Sequence, residues 1–414
     1  MVYRHKTFIQ KNTTGDYGNL ITSVFLNSIG RPAPDALIRI YDPTNSILIE
    51  ETKTNSSGQI QLLSLPAPPL DYSMAPDRPR PFNQYNISVY LPGYVEANIN
   101  NVQIYPETTA IQEVVLRPTY DSITIPYPVL WGDFPPKIPE AETKKLPFPS
   151  NLIVLPKPVV PSIVIVHDGV PSDNTAANYT IGFKDYIKNV ACSEIYATWP
   201  RETIEANVLA MISFTLNRVY TEWYRSKGYD FTITSSTAYD QAFSYGRNIF
   251  KEVSDVVDEV FTTYITRPDL NQPLFTQYSD GKQVVREGWL SQWGSKTLGD
   301  SGYSSLQILK NYYGSDIILK QAEKVEGIPM SFPGETLKVG SRGESVKIIQ
   351  EQLNAISNNF PAIPKVIVDG IYGDATASAV KKFQEIFNIP VTGDVNFSTW
   401  YRISSVYTAV ENLS

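Results

Sequence analysis

Residues 182–220 read GFKDYIKNVACSEIYATWPRETIEANVLAMISFTLNRVY, and their apolar spacing gives two helices broken at Trp199-Pro200. Phe183, Ile187 and Val190 follow one another at four and three residues, as on one face of a helix. In the second segment, expected over 201–225, Ile204, Val208, Ile212, Leu216, Val219 and Trp223 recur at three or four residues. Pro200 stands where a first helical turn tolerates proline, and Glu202 and Glu205 suit the positive end of a helix dipole. The next position on the first stripe is Glu194. A carboxylate that continues a buried face has two readings. It meets a basic partner at the helix end, or burial raises its pKa and it serves as a general acid near neutral pH.

Outward from this stretch the pattern changes. A third helical period is expected at 247–258, and short apolar runs at 231–236 and 259–266 read as strands, so residues 163–325 form a mixed α+β core. Before it, NLITSVFLN, ALIRIYD, SILIEETKT, QIQLLSL, YNISVYL and AIQEVVL are separated by turn clusters such as Asn55-Ser56-Ser57-Gly58. Short strands at such spacing predict an all-β sandwich over 1–117. Between the two, eleven prolines fall in 118–161. Proline forbids a helix or a central strand there. Residues 118–162 are either an extended, protease-accessible linker, with a basic step at Lys144-Lys145, or a strap packed down by Trp131, Phe134 and Phe148. Residues 335–410 carry stripes at Val346, Ile349, Leu353 and Ile356, and at Thr376, Val380, Phe383 and Phe387, with a third segment at FSTWYRI. Val368-Asp369-Gly370 and Val391-Thr392-Gly393 precede the second and third as a weak internal repeat. A three-helix bundle is expected.

The chain has 414 residues, 31 prolines, 26 tyrosines, one cysteine and two histidines, with a net charge of −7. One Cys excludes an intrachain disulfide framework, and His5 and His167 form no metal-binding pair, so neither a metal nor another cofactor is expected. The acidic balance argues against nucleic acid as a partner. No apolar run is long enough to span a membrane, and the N-terminus lacks the apolar core of a secretory signal, so export by that route is not expected.

The order GRPAPDALIRIYD, TNSSGQIQLLSL, YNISVYLPGY resembles a carboxypeptidase-regulatory-like (prealbumin-like) domain, which implies a fold and no activity. DYIKNVACSEIYATWPRETIEANVLAMISFTLNRVY resembles the core motif of the SpoIID/LytB family of peptidoglycan lytic transglycosylases. STAYDQAFSYG and QYSDGKQVVREGWLSQWGSKTLGDSGYSSLQILKNYYG resemble its two later segments, in order. The resemblance implies that Glu194 is the catalyst and places Thr237, Gln241, Ser291 and Gln292 in the family's segments; these, with Asp240 beside them, are the candidate substrate contacts. Tyr239, Trp289 and Trp293 are the aromatics that would stack on sugars along a glycan groove or else pack in the core. The family's Met-Pro after the glutamate is Ile195-Tyr196 here, its Met before Ser-Gln is Leu290, and its histidine-bearing lead-in is Arg286-Glu287-Gly288. One carboxylate suffices for a transglycosylase, whose internal nucleophile is the muramic C6 hydroxyl. A hydrolase usually needs two. Asp240 and Glu205 are the possible second carboxylates. Cys192 paired with His167 would be a thiol nucleophile, but no basic neighbour in sequence lowers its pKa.

LKVGSRGESVKIIQEQLN, VDGIYGDATASAVKKFQ and VTGDVNFSTW resemble a three-helix peptidoglycan-binding module, with Arg342, Asp369 and Tyr372 as candidate contacts. The whole order of parts resembles the clostridial spore cortex-lytic enzymes of the SleC type. That implies a zymogen located in the spore, acting on cortex peptidoglycan at germination after a subtilisin-like Csp protease cuts between about 118 and 160. Two other readings remain: a catalytically silent peptidoglycan-binding coat protein, and a hydrolytic muramidase.

Overall fold

The computed structural model describes residues 16–117, 121–138, 158–327, 330 and 332–411. The Lys144-Lys145 step, Phe148 and His5 lie outside the described residues. The first part has eight strands: β1 (Asp16–Leu26), β2 (Leu37–Tyr41), β3 (Leu48–Lys53), β4 (Leu63–Ala67), β5 (Asn83–Tyr90), β6 (Ala97–Ile104), β7 (Thr109–Leu116) and β8 (Asp121–Thr124). One sheet runs β3-β2-β5-β6-β8 and the other contains β4-β1-β7. Leu20, Val24, Ile38, Ile87 and Val102 alternate inward and are fully or almost fully buried in one core. Two strands were not expected. ANINNVQI, with three asparagines, forms β6, and Asp121–Thr124 pairs in parallel with it, beyond the expected sandwich limit at 117. The asparagine-rich strand lacks the β-branched density that marks strands in sequence.

The second part begins with β9 (Ile163–His167) and β10 (Asn178–Gly182), paired antiparallel. It continues with α1 (Phe183–Glu194), α2 (Arg201–Tyr220), β11 (Ile233–Thr234), β12 (Ile249–Phe250), α3 (Lys251–Val260) and β13 (Thr263–Thr266). Then come β14 (Tyr278–Ser279), β15 (Leu290–Ser291), α4 (Gln292–Asp300), α5 (Ser305–Tyr313) and β16 (Ile318–Gln321). α2 stops at Tyr220 rather than 225, and α3 starts at Lys251 rather than 247. Pro200 is the N-cap of α2, one place before the first helical turn. α2 is buried on almost every side, the state of a helix at the centre of a core. β12 leaves this part and pairs with β7, Ile249 opposite Ile111 and Phe250 opposite Ala110, so the sandwich sheet is completed by the core.

The residues expected as a linker divide. Between β8 and Ile138 the chain runs as a strap across the core, but Trp131, expected to pack such a strap down, is exposed; residues 139–157 are outside the described part. Val160 pairs with Val325, which fastens the start of the core to its end.

The third part is α6 (Glu344–Ser357), α7 (Asp374–Ile386) and α8 (Phe397–Glu411) around Val346, Leu353, Phe383 and Trp400. The weak repeat has a physical basis. Gln350 on α6 accepts the Asp369 and Gly370 N–H groups at 3.1 and 2.8 Å, and Gln384 on α7 accepts those of Thr392 and Gly393 at 2.9 and 2.8 Å. Each clamped turn has its glycine at positive φ, 73° and 80°, where a side chain would be strained. The module touches the sandwich through Gln59 Nε2 donating to the Ile386 carbonyl (2.6 Å) and Asn359 Nδ2 donating to that of Gly30 (2.9 Å). Gln384→Leu strands the buried Gly393 N–H, while that of the exposed Thr392 can turn to water, and should lower the module's stability by about 1–3 kcal/mol. Urea unfolding followed by Trp400 fluorescence checks this.

Candidate active site

Glu194 is the last residue of α1, and only 3% of it is exposed. The helix can end there because Ile195 turns to an extended conformation while its N–H still bonds the Ala191 carbonyl. Three groups from three distant segments point at the carboxyl. The Ala242 N–H donates to Oε1 at 2.9 Å, the Tyr278 hydroxyl to Oε1 at 3.3 Å, and Gln292 Nε2 to Oε2 at 3.0 Å. Burial pushes the Glu194 carboxyl above the usual carboxylate range; the Lys137 charge and these three hydrogen bonds pull it back. Gln292 Oε1 is buried without a hydrogen-bond partner among the described residues. Turned over, that amide would accept from a protonated Glu194, so the pair suits both charge states.

Behind this layer, Gln241 is fully buried and fixes Tyr278. Its Nε2 donates to the Tyr278 hydroxyl at 3.1 Å, and its Oε1 accepts from Tyr186 and Thr215 at 3.1 and 2.7 Å. It therefore orients the site and does not line it, a correction to its expected contact with substrate. Asp240 is corrected further. It is 0% exposed, bonded to Arg218 Nε at 2.8 Å and to the Tyr224 hydroxyl at 2.6 Å, and serves as a structural counter-ion. Glu205 accepts from Ser305 Oγ at 2.8 Å and braces α2 against α5. Ser291 caps α4 by accepting the Gly294 N–H at 2.9 Å. A side chain at Gly294 would collide with the Tyr312 hydroxyl, which accounts for glycine in Ser-Gln-Trp-Gly. Trp289 and Trp293 are both buried, and Trp293 packs on Trp199 (5.1 Å) and Tyr196 (5.9 Å); they are core aromatics and are not among the described residues that line the Glu194 cleft. Tyr239 is half-buried. Thr237 does reach the cleft, where its hydroxyl donates to the Pro135 carbonyl at 3.2 Å.

Sequence reasoning missed three participants. Tyr278 precedes the Ser-x-Gly segment and is one of 26 tyrosines, so nothing local marked it. Ala242 contributes only a backbone N–H. Asp280 lines the same cleft as Glu194, and its carboxylate accepts the Gln283 and Val284 N–H groups at 2.8 and 3.1 Å. Cys192 is buried, with its thiol pushed up to about 11, so it is no nucleophile. His167 is held by Asn178 (2.8 Å) and the Val170 carbonyl (3.2 Å) and stacks on Phe231. Among the described residues no group of three or more His, Cys, Asp or Glu is placed to hold a metal, and no helix is long and apolar enough to cross a membrane. In the third part, Tyr372 is 1% exposed and donates to the Gly393 carbonyl at 2.8 Å, so it is a core residue rather than a surface contact. Arg342 is exposed, and Asp369 accepts the Ile371 N–H at 2.8 Å.

Residues 342–403 match the family described as putative peptidoglycan binding domain, so the helical module is a peptidoglycan-binding domain and the chain has a role at the cell wall. No curated protein matches the chain. Among solved structures, the SleB N-terminal domain is 27% identical over 19% of this chain and 99% of its own, with a TM-score of 0.17. Catechol 1,2-dioxygenase from Acinetobacter sp. ADP1 (16% identical, 28% of this chain, 54% of its own) also has a TM-score of 0.17. So does 3-chlorocatechol 1,2-dioxygenase from Rhodococcus opacus 1CP (13%, 28% and 60%).

Two outcomes follow. Asp240→Ala removes the carboxylate paired with the buried Arg218 and should cost about 3–5 kcal/mol in urea unfolding. A carboxyl with a raised folded pKa is neutral in both states at low pH, so its stabilising share is present there and is lost as pH rises through the folded value. Thermal unfolding of Glu194→Gln should therefore gain on wild type as pH rises above about 4, the unfolded carboxyl's value; a constant difference would mean an ordinary pKa.

Proposed function

We propose that the chain is the inactive precursor of a spore cortex-lytic transglycosylase. It would cleave peptidoglycan glycan strands and leave 1,6-anhydromuramic ends. The observation that carries this reading is Glu194: a carboxyl in a cleft, with burial raising its pKa and three donors fixing both oxygens. Such a group can protonate the leaving glycosidic oxygen and then take the proton from the muramic C6 hydroxyl as that oxygen attacks the anomeric carbon. No water enters the products. Tyr278 and Gln292 keep the carboxyl aimed, and Gln292 adapts by turning its amide as the proton leaves and returns. The C-terminal module would hold the enzyme on the cortex. A cut between about 118 and 160 by a subtilisin-like Csp protease would activate it, and the spore is its expected location.

Asp280 favours a second reading, a hydrolytic muramidase, because it lines the same cleft and a hydrolase uses two carboxylates about 5–9 Å apart. Its oxygens are engaged by two backbone N–H groups, which suits a turn-holding role better than activation of water.

Cut protein and its Glu194→Gln variant incubated with purified cortex peptidoglycan separate the readings. The proposal expects anhydromuramic products from the first, reduced by about 100-fold or more in the second, the lower range for loss of an acid–base group. Reducing ends would favour the muramidase, and no products from the cut protein would leave a peptidoglycan binder.

A further inference from the structure

The strap does not merely pass the candidate site; it fills it. Val129 N–H donates to the Ser193 carbonyl at 2.8 Å, one residue before Glu194. Ile138 N–H donates to the Ala238 carbonyl at 2.6 Å, and the Pro135 carbonyl accepts from Thr237 at 3.2 Å. Gly132, Phe134, Pro135, Pro136 and Lys137 form one wall of the Glu194 cleft. The space left is about 60 Å³, far below the roughly 300–1,000 Å³ of ordinary ligand pockets, so no sugar fits while the strap is in place.

Lys137 is the residue that reaches inward. Its ammonium is closed off from solvent and sits 4.2 Å from the Tyr278 ring centroid and 4.8 Å from that of Phe214. It is the charge that acts on Glu194. The cleft thus holds a cation against two aromatic rings, where its charge acts on the Glu194 carboxyl. A glycosidic bond broken by acid catalysis passes through an oxocarbenium-like state, with positive charge at the anomeric carbon. An aromatic face and a carboxylate stabilise such a charge, and a site built for it binds stable cations of similar position tightly.

We infer that the Glu194 cleft recognises a cation, and that Val129–Ile138 is its built-in occupant, with the Lys137 ammonium standing where the sugar's positive charge develops. The inference rests on the glycan-cleaving reading. It adds a ligand class, protonated imino-sugars, and a way in which the intact chain would be held silent: the strap competes for the cleft with the group the cleft is shaped to stabilise. The two prolines help, because a preset backbone loses little freedom on docking.

The test uses the full chain with Lys137→Gln and Lys137→Arg. Hydrogen exchange of the peptide spanning 129–138 reads docking without any catalysis. Lys137→Gln should raise its exchange about tenfold or more, while Lys137→Arg stays near wild type. In calorimetry, a protonated piperidine analogue of N-acetylglucosamine should bind the Lys137→Gln chain and not the wild type, and N-acetylglucosamine itself should bind neither comparably. Exchange unchanged in Lys137→Gln, or equal binding of the neutral sugar and the cation, overturns the inference. Failure of the glycan-cleaving reading appears separately, as a cut protein that opens the cleft and yields no Glu194-dependent products.

Discussion

A carboxyl group shut away from water must find donors or give up its charge. Glu194 is held between those outcomes. Burial favours the neutral acid, while the Ala242 N–H, Tyr278, Gln292 and the Lys137 charge favour the anion. The fold is arranged around that balance. The end of α1 brings the carboxyl, the turn after Gln241 brings a backbone donor, β14 brings Tyr278, and the first residue of α4 brings Gln292. Four segments spread over about a hundred residues must meet within hydrogen-bond distance. The fully buried α2, with Arg218 neutralised by Asp240, is the post they pack on.

The sandwich is tied into this arrangement. β12 completes its sheet, Gln112 Nε2 donates to the Gly246 carbonyl at 3.0 Å, and Arg247 joins Gln103 at 3.2 Å to Ser193 Oγ at 2.7 Å. The segment 242–250 therefore faces Glu194 at one end and the sandwich at the other. The strap leaves β8 and crosses the cleft, so the wall it forms over the candidate site is continuous in chain with the sandwich. A cavity of about 410 Å³ where sandwich, core and peptidoglycan-binding module meet marks the centre of that contact.

Local periodicity made most of the elements legible. The stripe Phe183, Ile187, Val190 led directly to Glu194, and the three helices of the last module followed from their own stripes. What escaped depended on distance in sequence. Asp240 stands in a motif that resembles a substrate contact, yet its partner Arg218 lies on a helix 22 residues earlier, and only packing reveals the pair. Trp293 and Tyr372 are as compatible with a core as with a sugar face until burial is known. Tyr278 and the Ala242 N–H carried no local mark. The proline-dense stretch was compatible with a free linker or a strap, and the difference lies in a few long-range hydrogen bonds that composition does not encode.

The account turns on one carboxyl group doing both proton transfers with no water consumed. Digestion of cortex glycan by the cut protein in water enriched in heavy oxygen, with the new chain ends read by mass spectrometry, tests this most directly. The account predicts anhydromuramic ends free of the label. Ends that carry one labelled oxygen would contradict it and make Asp280 the second carboxylate of a hydrolase.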